Sequence, residues 1–252
     1  MIKVDESNIK RTKQFIIENL KRSGFIYGNL SDAASENYIY ERDGEILAMT
    51  NVIGNQYCTY LFPENTSIEV VEDVIKFMVK VEHQGGTVTG DYYDIISKYY
   101  NVPSNARNEV ASLQVTEANY KLNNEVNYLS TSDIDNYKQS LDTIKEFAPH
   151  DYKSVVEMFE RTQVTAIKKD NQIISSACLS AISDRTAVIT GVFTIEGHGA
   201  KGYASDCVSK LLNDYAPGRI ILIFFSNPVA KHVYLNLGFE VDDKLIMFNE
   251  IK

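Results

Sequence analysis

Residues 187–215 read AVITGVFTIEGHGAKGYASDCVSKLLNDY and combine three features suited to holding an anion. Residues 187–193 are apolar apart from Thr190 and Gly191, and Gly197, Gly199 and Gly202 follow closely. From Ala204 onward, Cys207, Val208, Leu211, Leu212 and Tyr215 recur at helical spacing, which puts one apolar stripe on one face. The pattern predicts a buried strand, a glycine turn and an amphipathic helix. A glycine turn at a helix start presents backbone N–H groups with no side chain in the way. The positive end of the helix dipole adds to them, which makes the segment a seat for phosphate. A pyrophosphate gripped there would leave the preceding strand to present an attached acyl group.

The elements that must position this seat come from the rest of the second half. Residues 126–129 read as a short strand, and Thr131-Ser132-Asp133 caps a helix with Ile134, Tyr137, Leu141 and Ile144 facing inward. A second helix over 152–160 has Val155, Val156 and Phe159 as its apolar face. Three strands follow at 164–168, 173–182 and 186–194, joined by turns at Asp170-Asn171 and Asp184-Arg185. After the glycine turn and its helix, Pro217-Gly218 is a sharp stop, and residues 219–225 form a continuous apolar strand of the kind buried on both faces. Asn227-Pro228 opens a further helix with a side-chain cap and a proline at its first position. Val229, Val233 and Leu237 face the core, Gly238 ends that helix, and 239–249 is a last strand.

The first half repeats this order. A short extended piece at 2–4 precedes a helix capped by Ser7 or Asn8, with Phe15, Ile16 and Leu20 on its apolar face. Strands at 38–41, 46–53 and 57–62 are separated by the Arg42-Asp43-Gly44 and Gly54-Asn55 turns. A strong helix over 67–81, a strand at 87–89, a helix over 92–100 and a strand over 110–117 complete it. The polar run Lys121-Leu122-Asn123-Asn124 sets the domains at 1–122 and 123–252. Where the second half has its glycine turn, the first has Pro63-Glu64-Asn65-Thr66. The proline lacks an N–H and the carboxylate repels an anion, so this half should not hold phosphate in the same way. Tyr92, Tyr93, Tyr99 and Tyr100 read better as a packed helix face than as the lining of a cleft.

Composition narrows the partners. With 252 residues the chain can bury a sizeable core, and 44% apolar residues is ordinary for a globular protein. A net charge of −9 argues against nucleic acid and mildly favours cationic small molecules. Cys58, Cys178 and Cys207 lie far apart in apolar segments and read as reduced core cysteines. His83, His150, His198 and His232 show no metal-ligand spacing, so no metal is expected. The charged start predicts no signal peptide, and no apolar run approaches a membrane span, so a cytoplasmic protein without membrane contact is expected.

Residues from 125 to 252 resemble the GNAT superfamily of acyl-CoA-dependent N-acyltransferases in three pieces. These are the strand Gly191-Val192-Phe193-Thr194, the turn from His198 to Ser205, and the segment from Asn227 to Phe239. The turn is similar to the family's Q/R-x-x-G-x-G/A loop and the last segment to its N-P-x-A-x-x-x-Y-x-x-x-G-F ending. Lys201, Gly202 and Ala204 match the loop, whereas Gly199 stands where Gln or Arg is usual and Ala200 where glycine is frequent.

The resemblance implies an α/β fold of two tandem GNAT-like domains, each a mixed, mainly antiparallel twisted sheet flanked by helices. The first would be degenerate and the second catalytic. It implies that backbone N–H groups of Gly199, Ala200, Lys201, Gly202, Tyr203, Ala204 and Ser205 bind the pyrophosphate of acetyl-CoA, with Lys201 adding charge. The resemblance also implies acetyl-CoA as co-substrate, with no metal. Main-chain groups of Val192, Phe193 and Thr194 would pair with the pantetheine amides where that strand splays from its neighbour. The Val192 N–H would stabilise the oxyanion, and Tyr234 would protonate the departing thiolate. Asn227 either assists coenzyme binding or only caps its helix.

The implied activity is N-acetyl transfer to a primary amine, most simply of a small molecule, by direct attack. The alternative is a non-catalytic acyl-CoA-binding sensor with a protein partner. Spacing singles out no general base among Asp151, Glu157, Glu160 and Glu196, and a homodimer stays open.

Overall fold

A computed structural model describes residues 1–54, 56–144 and 151–250, so Asn55 of the expected turn and His150 lie outside it. The chain divides into two compact units. One comprises Met1–Ser112, Phe224–Asn227 and Val241–Lys252, and the other Leu113–Ile223 and Pro228–Glu240. The boundary thus falls inside a strand at 112/113, ahead of the polar run at 121–124, and the C-terminal strand is grouped with the first unit.

The first unit runs β1 (Ile2–Lys3), α1 (Ile9–Glu18), α2 (Leu20–Asn29), β2 (Ser35–Arg42), β3 (Glu45–Ile53), β4 (Tyr57–Leu61), α3 (Ile68–Met78), β5 (Gly85–Thr89), α4 (Tyr93–Tyr99) and β6 (Arg107–Gln114). Its first helix differs from expectation. It breaks at Asn19, whose Nδ2 donates to Phe15 O at 2.9 Å, competing with the helical ladder. Asn8 does stand at the N-cap, but its side chain accepts from Asp5 N and donates to Lys3 O instead of capping. Ser67 caps α3, accepting from Val70 N.

The second unit follows with β7 (Asn127–Tyr128), α5 (Ile134–Leu141), α6 (Tyr152–Arg161), β8 (Gln163–Lys169), β9 (Gln172–Ser180), β10 (Thr186–Thr194), α7 (Tyr203–Tyr215), β11 (Ile220–Phe225) and α8 (Pro228–Asn236). Asp133 stands at the N-cap position of α5 without a side-chain cap, and the capping box lies one turn earlier, where Ser130 exchanges hydrogen bonds with Asp133 around the 3-10 turn Thr131–Asp133. The Asp170-Asn171 turn has both residues left-handed, as a tight hairpin requires. The linker is strapped to α7, where Asn213 exchanges two hydrogen bonds with the Tyr120 backbone and Asp206 accepts from Asn123 N and Asn124 Nδ2. These ties explain why residues 113–126 belong to the second unit.

The two units share a pairing scheme. In the first the strand order is β1-β2-β3-β4-β5-β12-β6, where β12 is Glu240–Phe248. The β1 to β4 neighbours are antiparallel, β4 and β5 are parallel, and β12 is antiparallel to β5. In the second the order is β11-β10-β9-β8-β7, antiparallel throughout except for the parallel β10–β11 pair.

In the first unit α3 buries Val70, Val71, Val74, Ile75 and Met78. The C-terminal strand contributes Ile246 and Phe248 to the same core, with the Phe248 ring 4.3 Å from that of Tyr100 between centroids. Gly86 is required where β4 and β5 meet, since a Cβ there would lie 1.8 Å from Cys58 O.

A polar chain crosses this core. Val81 O can only accept, so His83 Nδ1 donates to it at 2.7 Å and Nε2 is left to accept from the Tyr100 hydroxyl at 3.0 Å. Tyr100 in turn lies 2.6 Å from the Tyr60 hydroxyl. The expected tyrosine cluster is therefore a packed face, with Tyr100 wholly buried.

Two predictions follow from this packing. Phe248→Ala should cost about 3–5 kcal/mol, with hydrogen-exchange protection lost in β2 to β5 and kept in β8 to β10. Equal loss in both sets of strands would contradict the assignment of β12 to the first core. Burial holds the His83 imidazole below its ordinary value, so the unfolded chain takes up that proton first as pH falls. The contribution is fully present above about pH 6.5 and is lost as pH drops toward the folded value. The melting temperature should fall over that window, and less steeply in His83→Gln.

Candidate functional site

The site is built on β10. Its parallel pairing with β11 runs from Thr186–Ile220 to Ile189–Ile223 and then ends, although β10 itself continues to Thr194. On the other edge β9 follows β10 throughout, but with a shift of register between Thr190 and Phe193. Gly191 and Val192 together stand opposite the single residue Ala177 in this bulge, and neither has a register partner in a neighbouring strand. Gly191 takes φ +57°, and a Cβ on it would come within 3.1 Å of Cys178 Sγ, so the bulge needs glycine there. The side chains beyond are turned into the sheet. Phe193 is buried with its ring edge-on to that of Tyr137, and Thr194 Oγ1 lies 2.9 Å from Ser175 Oγ. Ser175 Oγ also donates to Phe193 O. A ligand along this edge would thus meet main chain.

The turn that follows is open. A Cβ at Gly197, Gly199 or Gly202 would meet nothing within 4 Å. Gly202 is the left-handed N-cap residue of α7, and no side chain caps that helix. The first-turn N–H groups of Tyr203, Ala204 and Ser205 therefore point out of the helix start without an intrahelical acceptor. Asp206, the acid of this turn, is buried and directed at Asn123 and Asn124. Lys201 is exposed, its Nζ 3.4 Å from Gly197 O. The chain thus brings Val192, Phe193, Thr194 and the Gly199–Ser205 loop into one continuous segment of the second unit. A pyrophosphate fits the chemistry of this donor set.

Tyr234 lies on α8 in the same unit, 4% exposed, its ring edge-on to Phe239 at 6.1 Å between centroids. Burial pushes its phenol above the ordinary value, so it carries its proton at neutral pH. Asn227 is exposed and falls in the segment grouped with the first unit, so it does not share a unit with the loop. His198 is half-buried, with an Nδ1 that has no hydrogen-bond partner among the described residues. Asp151 caps α6 through Ser154 N, and Glu157 pairs with Lys153 at 3.6 Å. Neither is marked as a base.

Two neighbours of the site were not legible as such. Lys169, at the end of β8, donates to the Tyr203 hydroxyl and sits 4.7 Å from its ring centroid. Tyr137 on α5 packs at the bulge, and its helical periodicity marked it only as core. The three cysteines are buried and free, and burial pushes the Cys178 thiol up to about 11 and that of Cys207 to about 12. Among the described residues no group of three or more His, Cys, Asp or Glu could hold a metal, and no helix is long and apolar enough to cross a membrane.

A parallel strand pair that ends above an uncapped glycine turn defines the α/β frame of the second unit. The model of the acetyltransferase (GNAT) family matches residues 131–239, so this part of the chain is similar to that family's domain. No curated protein sequence matches the chain. Solved structures do. A tandem GNAT protein from the clavulanic acid biosynthesis pathway is 10% identical with a TM-score of 0.60, over 99% of this chain and 97% of that one. A Drosophila protein gives 11% identity and a TM-score of 0.68, over 98% and 97%. A GNAT-family acetyltransferase from Colwellia psychrerythraea gives 12% and 0.53, over 93% and 96%. At these identities the likeness is one of fold. The chain has the fold of two tandem GNAT-like domains.

The loop yields a prediction. Ala200 sits at φ +58°, a region that is strained for side chains and costs about 1–2 kcal/mol. Ala200→Gly, the residue frequent in the family, should leave stability unchanged or raise it by up to about 1 kcal/mol. Ala200→Val should lower it by about 1 kcal/mol or more. Urea unfolding checks both, and a Val variant as stable as wild type would contradict the left-handed turn.

Proposed function

We propose that the second unit transfers an acetyl group from acetyl-CoA to a primary amine, most simply of a small molecule, by direct attack. The observation that carries this is the end of β10–β11 pairing at Ile189–Ile223 while β10 runs on through a bulge into an uncapped turn. The free edge suits the amides of a pantetheine arm. The turn suits the pyrophosphate, through the N–H groups of Gly199, Ala200, Lys201, Gly202, Tyr203, Ala204 and Ser205, with Lys201 nearby. Gly199 removes a side chain that the family usually carries but no backbone donor.

In the chemical step the amine lone pair forms the new C–N bond at the thioester carbonyl. The Val192 N–H, freed from ladder register, donates to the oxyanion that develops, an interaction worth about 3–4 kcal/mol in comparable sites. The C–S bond then breaks, and the departing sulfur takes its proton from the Tyr234 hydroxyl. The proton lost by the attacking nitrogen leaves to water, and water returns one to the Tyr234 phenolate. The tyrosine acts as an acid because burial keeps it protonated.

Acetyl-CoA at about 100 times its Kd should stabilise the protein by about 2.7 kcal/mol, read as a rise in Tm. Tyr234→Phe should lower kcat about a hundredfold or more while coenzyme affinity changes little. Thiol release across a panel of amines measures this. Unchanged turnover would remove Tyr234 from the mechanism, and binding without thiol release for any amine would mark an acyl-CoA sensor. No binding of acetyl-CoA or of any longer acyl-CoA would overturn both.

A further inference from the structure

The bulge in β10 has a buried neighbour that no step above employs. Tyr137 touches the chain on both sides of the peptide joining Gly191 to Val192. Its hydroxyl lies 3.6 Å from the point where a Gly191 Cβ would be, and its ring stands edge-on to Phe193 at 5.7 Å between centroids. The same hydroxyl is 3.5 Å from Cys178 Sγ, and Cys178 is the register partner of Thr190, the residue that precedes the bulge. Tyr137 is itself held, 1% exposed and edge-on to Phe159 at 5.2 Å.

A bulged peptide has no ladder partner to set its direction, and glycine adds freedom to turn. Packing must therefore fix it. We propose that Tyr137 is a positioning residue that fills the space left by the absent Gly191 side chain, braces Phe193, and so aims the Val192 N–H at the acyl oxygen. The inference rests on the assignment of that N–H to the thioester carbonyl. Because Tyr137 lies behind the strand, its effect reaches the substrate only through the backbone. Tyr137→Phe keeps the ring contacts and removes the hydroxyl alone.

The test uses the full chain and acetyl-CoA labelled with carbon-13 at the thioester carbonyl, observed by isotope-edited infrared spectroscopy. Bound to the wild-type protein, the carbonyl stretch should lie below its value in free acetyl-CoA, as expected of a hydrogen-bonded carbonyl. In Tyr137→Phe it should return toward the free value, with Kd within about twofold and kcat lower by about tenfold, a fraction of the loss from deleting a whole oxyanion donor. An identical band in variant and wild type overturns the proposal.

Should Tyr137→Phe fail to fold, Cys178→Ala removes the hydroxyl's neighbour and should shift the band in the same direction by less, while an unmoved band again overturns it. Phe159→Leu is the structural control, since it loosens Tyr137 from the side away from the bulge. It should lower Tm and leave the band in place, and a shift as large as that of Tyr137→Phe would reduce Tyr137 to general packing. Absence of acetyl-CoA binding in the wild type overturns the coenzyme assignment itself, an outcome distinct from a bound thioester with an insensitive band.

Discussion

Everything at the site depends on β10 giving up β11 after Ile189. Main-chain donors and acceptors in a folded core are nearly always paired, because leaving one buried and unmet costs about as much as a lost hydrogen bond. A strand edge that opens beside its own parallel neighbour therefore leaves main-chain groups that an extended, amide-bearing ligand, as proposed, would complete. The neighbouring features are consistent with that constraint. The bulge turns the edge, Ser175 and Ser176 on β9 hold the opposite side in register, and Thr165 Oγ1 ties β8 to Cys207 O in α7 at 3.0 Å. The helix whose N-terminus bears the turn is thus fixed to the same sheet as the edge. Edge and turn cannot drift apart.

The first unit shows the same connectivity with its donors already spent. The parallel pairing of β4 with β5 extends to Tyr60–Val88 without a bulge, and Thr89 Oγ1 then continues it by donating to Tyr60 O and accepting from Phe62 N. Arg22 Nη1 donates to Phe62 O, and its guanidinium lies 2.9 Å from the half-buried Asp243 carboxylate. Ser67 caps α3 where α7 has only glycine. One topology has therefore been closed in one copy and left open in the other, by side chains at a few positions at the strand ends. The order of elements was not enough to tell them apart, whereas Pro63-Glu64 against Gly197 to Gly202 was.

What the sequence made legible follows the same division. Long periodic helices and alternating strands stood out because their burial is local in register, as in α3 and β10. The turn stood out because glycine has few other reasons to cluster. The break at Asn19 did not, since it arises from one side chain competing for Phe15 O inside an unbroken apolar stripe. The boundary within β6 was hidden for another reason. Asn123 and Asn124 look like linker composition, yet their polarity serves Asp206 on α7, which draws the linker into the second unit. Tyr137 illustrates the general limit. Periodicity reports that a residue faces inward, and only the register shift between Thr190 and Phe193 reveals what it faces.

The acid role proposed for Tyr234 raises a physical question. An ordinary phenol is a weaker acid than an ordinary thiol by about 2 kcal/mol, and burial weakens it further. Protonating a solvated thiolate from such a group would run uphill. A thiolate released inside a dry cleft bears the same desolvation that raises the phenol, and a compact sulfur anion with no water must either capture a proton or recombine with the acyl group. Equal desolvation leaves the phenol the weaker acid by the same amount, so in the proposed mechanism the transfer is drawn forward by departure of the thiol. Burial of Tyr234, 4% exposed, keeps its proton from ready exchange with solvent, which is what the proposed acid role requires.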